Sequence, residues 1–188
     1  MAILRETQFA LWLRVSLFCA ASLLALPVFA QNGPSKEDVK AGFLFNFAKF
    51  VEWPTNTLAT NGTIRIGLLG KNDAFAATLQ HIIHGKQIES HQVVFEVYDE
   101  LPANPPHILY ISPPKAYGRT LAALANEPIL TVSDTEGFCQ AGGIINFRMD
   151  GRKVRFEINP KAAESRKLKL SSKLLGVAVH LVETGGGP

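Results

Sequence analysis

The chain has 188 residues and a net charge of +3 with histidine neutral. That length suits one core rather than several. Near-neutrality gives no clustered basic face of the kind nucleic acid requires, so a nucleic-acid partner is not expected. Residues 1–30 read as an export signal outside the fold. Arg5 and Arg14 make a positive start, and Val15 to Leu26 is an apolar run shorter than the ~20 residues of a spanning helix. Val28-Phe29-Ala30 supplies the small residues of a cleavage site, with processing before Gln31 and export. Removing Arg5, Arg14 and Glu6 with the leader leaves a net charge of +2 and one cysteine, Cys139. An internal disulfide is then impossible although the compartment is oxidising.

After Pro34, Ser35 can cap a helix whose first turn carries Glu37 and Asp38, as the helix dipole favours. The apolar stripe Val39, Phe43, Leu44, Phe47, Phe50, Val51 predicts a helix up to about Trp53, stopped by Pro54. Its aromatic load reads as a buried face, with contact to a partner or to a second copy of the chain as the alternative. Thr63 to Leu69 is nearly continuous in apolar residues, the pattern of a strand buried on both faces. Asp73 is expected to cap a helix from Ala74 to Ile83. Strands are expected at Val93–Tyr98, His107–Ser112 and Ile129–Val132, with a helix from Lys115 to Ala125 between the last two.

Two period-2 runs follow, Ile144–Met149 and Lys153–Ile158, joined at Asp150-Gly151, a strong hairpin signal. The second run ends at Asn159-Pro160, and Leu168, Leu170, Leu174, Leu175, Val177, Ala178 and Leu181 suggest a closing helix. The tail, 184–188, is Gly-rich and expected to be disordered, leaving 31–183 as a single domain. Alternating strands and helices through residue 132 predict an α/β fold. It has three layers, a largely parallel sheet flanked by helices and an antiparallel hairpin at one edge.

Open α/β sheets bind ligands outside the carboxyl ends of their strands. Gly70, Asn72, Ser112, Ser133 and Asp134 all fall there and form a candidate small-ligand edge. No G-x-S-x-G elbow accompanies the serines, and His107 begins its strand at the opposite end, so no nucleophile–base pair is expected. His81, His84 and His91 lack acidic or thiol neighbours at ligand spacing and do not make a metal site. Neither a metal nor another cofactor is called for. Cys139 beside Phe138 reads as a small buried hydrophobe, with a redox role or intermolecular pairing as the alternative. In Lys153–Asn159, alternation turns Val154, Phe156 and Ile158 inward and Lys153, Arg155, Glu157 and Asn159 outward. That face is either a solvated strand surface opposite Asn146 and Arg148, or a polar docking surface beside Arg166.

The segments KAGFLFNFAKFVEWP (40–54), IRIGLLG (64–70), VSDTEGF (132–138), GGIINF (142–147), VRFEIN (154–159) and LKLSSKLL (168–175) together resemble the YfiR family. The resemblance covers nearly all of the chain after residue 35. It implies a periplasmic protein without enzymatic activity that holds an inner-membrane diguanylate cyclase inactive through the cyclase's periplasmic domain. Cyclic-di-GMP and biofilm formation would then lie under its control. It implies a second partner, an outer-membrane lipoprotein that sequesters the repressor. It also raises the docking reading of Arg155, Glu157, Asn159 and Arg166. Part of the family carries paired cysteines near the Cys139 loop. This chain has Pro106 before the His107 strand, where the family often has a cysteine, so control by an internal bridge is not carried over.

Overall fold

The computed structural model describes residues 33–55, 57–58, 62–112 and 117–182. The leader 1–30, the cleavage site, the start of a helix at Lys115 and the tail 184–188 lie outside the described residues. Helices are α1 (Lys36–Phe47), α2 (Asp73–Ile83), α3 (Tyr117–Ala123), α4 (Pro160–Ser165) and α5 (Ser172–Val177). Strands are β1 (Val51–Glu52), β2 (Thr63–Leu69), β3 (Gln87–Ile88), β4 (His91–Tyr98), β5 (Ile108–Ile111), β6 (Leu130–Ser133), β7 (Ile145–Asp150), β8 (Lys153–Ile158), β9 (Lys169–Leu170) and β10 (His180–Leu181).

Eight strands form one sheet in the order β10-β8-β7-β6-β5-β2-β4-β3. All neighbours run parallel except β7–β8 and β3–β4. The fold is therefore α/β with a mostly parallel sheet flanked by helices, plus a two-stranded antiparallel ribbon of β1 and β9. Strand order reverses between β2 and β5. β2 is followed by β4 on one side, while β5 and β6 continue on the other, which is the switch-point topology of ligand-binding sheets.

Alternation decides which side chains meet which layer. Ile64, Ile66, Leu68, Ile108, Tyr110, Leu130, Val132, Ile145, Phe147, Phe156 and Ile158 join the helical residues Ala41, Leu44, Phe47, Phe75 and Leu79 in the larger core. Leu69, Leu109 and Ile111 point the other way, onto Leu121, Leu124, Ile129 and Phe138. Phe47 is the centre of the first core. Its ring stacks on Phe147 at 5.8 Å and meets Phe156 edge-on at 5.1 Å, while Phe43 meets Phe156 at 5.3 Å. The aromatic stripe of α1 thus packs against the β7–β8 hairpin, inside the protein.

Several boundaries differ from the sequence expectation. Helix α1 opens with a capping box between Ser35 and Asp38, and the Ser35 backbone and hydroxyl hold the Asp38 carboxyl below its usual range. It ends at Phe47, not at Trp53. Short-range bonds from Lys49 to Asn46 and from Phe50 to Phe47 close it, and Val51-Glu52 is drawn into β1 by pairing with β9. Asn72, rather than Asp73, caps α2. Residues 168–181 are not one helix. Lys167 takes a positive φ of 59°, Lys169-Leu170 pair with Val51-Glu52, and Ser171 restarts a short helix as its N-cap. The chain then re-enters the sheet as β10, so the hairpin has one more short strand outside it. In the hairpin Asp150 pairs with Lys153, and the two turn residues are Gly151 and Arg152. Gly151 alone takes positive φ, 57°, the glycine-first class of tight turn.

Removing the Phe47 ring leaves a cavity among three other phenylalanines. Phe47→Ala should cost about 3–5 kcal/mol of unfolding free energy. A denaturant titration followed by circular dichroism reads this as a lower midpoint with an unchanged slope. A loss under 1 kcal/mol would place the ring outside the core.

Candidate functional site

The carboxyl ends of β2, β5 and β6 gather the residues that the sequence placed there. Gly70, at a φ of 102°, donates its N–H to Tyr98 O. The Ser112 N–H donates to Leu69 O, and its hydroxyl lies 3.4 Å from Lys71 O. The Ser133 hydroxyl donates to Ile111 O at 2.8 Å and accepts the Thr135 N–H. Asn72 is occupied as the cap of α2, its Oδ1 accepting the Phe75 N–H. These hydroxyls and amides therefore tie the loops to the strand ends. His107 sits at the opposite end, where its Nδ1 accepts the Arg65 N–H. Burial lowers its pKa and keeps that nitrogen an acceptor.

Asp134 behaves differently. Its Oδ2 receives the ammonium of Lys40 at 2.5 Å. Lys40 lies on the inward stripe of α1 with Ala41, Leu44 and Phe47, and is itself buried. The Tyr110 phenol lies close enough that burial, and after it the Asp134 charge, push its pKa up. The other oxygen, Oδ1, is itself buried, and the Tyr110 phenol is a hydrogen-bonding neighbour of the same carboxylate.

The proposed docking strand needs correction. Glu157 does not face solvent: it is fully buried, as is Asn159, and Arg166 is nearly so. Alternation does turn Glu157 away from the main core. That side of β8, however, lies beneath the 138–143 segment rather than open to water, since Cys139 Sγ approaches Glu157 O at 3.7 Å. The Glu157 carboxylate accepts Asn146 Nδ2 at 3.1 Å and the Arg148 guanidinium at 3.0 Å. Asn159 caps α4 through Ala162 N and donates its amide to Cys139 O. Arg166 donates to the carbonyls of Leu124, Gly142 and Ala162. These three residues fasten the second layer to the sheet. Of the four, Arg155 alone keeps a half-exposed side chain, 3.9 Å from the Asp150 carboxylate.

Cys139 is likewise inside, fully buried with its thiol 3.5 Å from Ile144 O. Burial pushes its pKa up, with the Glu157 charge acting in the same direction. Gly143 allows the Phe138 ring to lie directly on the backbone, where any Cβ would collide with it.

One pocket uses several residues that sequence reasoning passed over. About 380 Å³ in size, it is lined by Lys36, Lys40, Asp134, Glu136, Asn146, Phe147, Arg148 and Met149. It opens where β6 stops at Ser133 while β7 continues to Asp150. Two signals were present in the sequence: a lysine in the apolar stripe of α1, and an asparagine inside the apolar run Ile144–Phe147. Among the described residues, no three His, Cys, Asp or Glu gather as a metal site, and no helix is long and apolar enough to cross a membrane. Compared with known families, the chain matches the YfiR/HmsC-like family over residues 37–179. A search of curated proteins finds no match.

Two outcomes follow from the buried polar layer. Glu157→Lys replaces a paired carboxylate with an ammonium facing Arg148, and breaking a buried pair costs about 3–5 kcal/mol. Thermal melting should show a sharply destabilised or unfolded protein, whereas a native melting temperature would place Glu157 at the surface. For Cys139, an aromatic disulfide reagent at neutral pH should label the thiol only on unfolding, because a buried, protonated thiol does not attack. Rapid stoichiometric labelling of the folded protein would contradict the burial.

Proposed function

Since the chain belongs to the YfiR/HmsC-like family, we propose that it is a periplasmic regulatory protein acting on an inner-membrane diguanylate cyclase. It binds the cyclase's periplasmic sensor domain and represses it, lowering cyclic-di-GMP and biofilm formation. The observation that carries this reading is the extent of the family match, which runs from the first turn of α1 to just before β10. Family members act as regulators rather than enzymes. The bonding of the edge hydroxyls to backbone carbonyls suits that role, because it leaves Ser133 to brace a loop rather than to attack a substrate.

Repression of this kind works through differential affinity. The regulator binds the inactive state of the sensor domain more tightly and shifts the population toward it. The catalytic domain lies across the membrane, so the shift travels through the cyclase's own transmembrane helices. An outer-membrane lipoprotein that captures the regulator relieves the repression. With Glu157, Asn159 and Arg166 buried, docking falls to the tip of the β7–β8 hairpin. Arg148, Met149, Asp150, Arg152 and Lys153 are exposed there beside Arg155, and Met149 retains 51 % of its surface. An apolar side chain ringed by charges matches the composition of protein-binding patches.

Deleting the gene should raise cellular cyclic-di-GMP and surface attachment. Complementation with wild type should restore both. Arg155→Glu, with the fold checked by circular dichroism, should restore them incompletely at matched periplasmic protein levels, since a lost interfacial charge costs binding. Nucleotide extraction and quantification make the measurement. Unchanged cyclic-di-GMP on deletion overturns the regulatory reading, while full activity of Arg155→Glu moves the docking face away from the hairpin.

A further inference from the structure

A second pocket, about 460 Å³ in size, lies between α3, α4 and the turn at Gly142, and Arg166 lines it. Arg166 is only 4 % exposed. Its Nε donates to Leu124 O at 3.1 Å, and its Nη1 donates to Gly142 O at 3.0 Å and to Ala162 O at 3.2 Å. Those bonds fix one side of the guanidinium. Nη2 has no acceptor among the described residues and is not sealed off, so its N–H groups are left for the pocket.

Three carbonyls satisfy hydrogen bonds but do not neutralise a charge, and a buried cation is ordinarily met by an anion. Arg166 forms no ion pair among the described residues. Burial lowers its pKa, with no carboxylate opposing that effect. None of the residues lining the pocket is acidic, and Lys161, exposed on α4, brings a second positive charge to it. The small side chains of Ala122 and Ala125 leave the space open, and Leu121 gives it an apolar wall.

We propose that this pocket binds a small oxyanion, the phosphate or carboxylate group of a small solute, on Arg166 Nη2, with Lys161 as a second charge and any short apolar part of the solute against Leu121 and Ala122. An oxyanion only accepts and a guanidinium only donates, so the two match without a proton being shared. The carbonyl bonds already hold the guanidinium in one orientation, so little side-chain freedom is lost on binding. The inference does not depend on the regulatory reading, because binding is measured on the purified protein without a cyclase.

Isothermal titration with inorganic phosphate and with propionate tests it, at an ionic strength held constant with chloride so that screening does not change. Propionamide serves as a neutral control of the same shape. Saturable one-to-one binding of phosphate or propionate is expected, and none of propionamide. Binding of phosphate alone assigns a phosphate ligand, and binding of propionate alone assigns a small acid. Ala122→Leu, at an exposed position on α3 where leucine is also a good helix former, should fill the pocket and abolish binding while the melting temperature of the free protein stays unchanged. Lys161→Gln should weaken binding about threefold, as for one screened unit charge near the anion. Failure of both anions to saturate, equal binding of propionamide, or wild-type affinity in Ala122→Leu each overturns the proposal.

Discussion

A carboxylate cut off from water must be met by donors of the protein, and Glu157 is such a group. Its two partners, Asn146 and Arg148, stand on the neighbouring strand of the hairpin. Together they give the polar face of β7 and β8 one arrangement. With the 138–143 segment lying over β8, the Cys139 carbonyl is in place for Asn159. Asn159 in turn caps α4, which carries Arg166 to the carbonyls of Leu124, Gly142 and Ala162. The second layer of this end of the molecule is therefore held by polar groups rather than by apolar contact.

The opposite face is held by dispersion and burial. The rings of Phe43 and Phe47 lock α1 onto Phe147 and Phe156. That docking sets the height of α1 above the sheet, which in turn brings Lys40 within 2.5 Å of Asp134. A buried lysine on an apolar stripe would be destabilising alone. Beside a carboxylate at the end of β6 it becomes a strut between helix and sheet. The two faces meet at Asp134 and Asn146, which belong to opposite sides of the sheet and line one pocket.

For a regulator, this arrangement couples a surface to an interior. The tip of the β7–β8 hairpin is exposed, while its base carries the Glu157 pair and the wall of the pocket.

Local pattern in the sequence was sufficient for the α/β class, through alternating strands and helices, for β2 at its limits, through a nearly continuous apolar run, and for the hairpin with its inward Val154, Phe156 and Ile158, through a period of two, because burial on a sheet imposes a pattern that short stretches carry. Ser35 as the cap of α1 was equally local. What the pattern could not carry was any state set by residues distant in the chain. Helix α1 stops at Phe47 because residues 169–170 claim 51–52 as a strand partner. The stretch 168–181, apolar at helical spacing, divides for the same reason. Alternation correctly turned Glu157 away from the main core. Whether that side met water or a second layer depended on a segment eighteen residues earlier, and tertiary structure alone decided that the face is covered. By itself, the sequence determined which side chains share a face; the packing of the chain against itself determined which faces remain open.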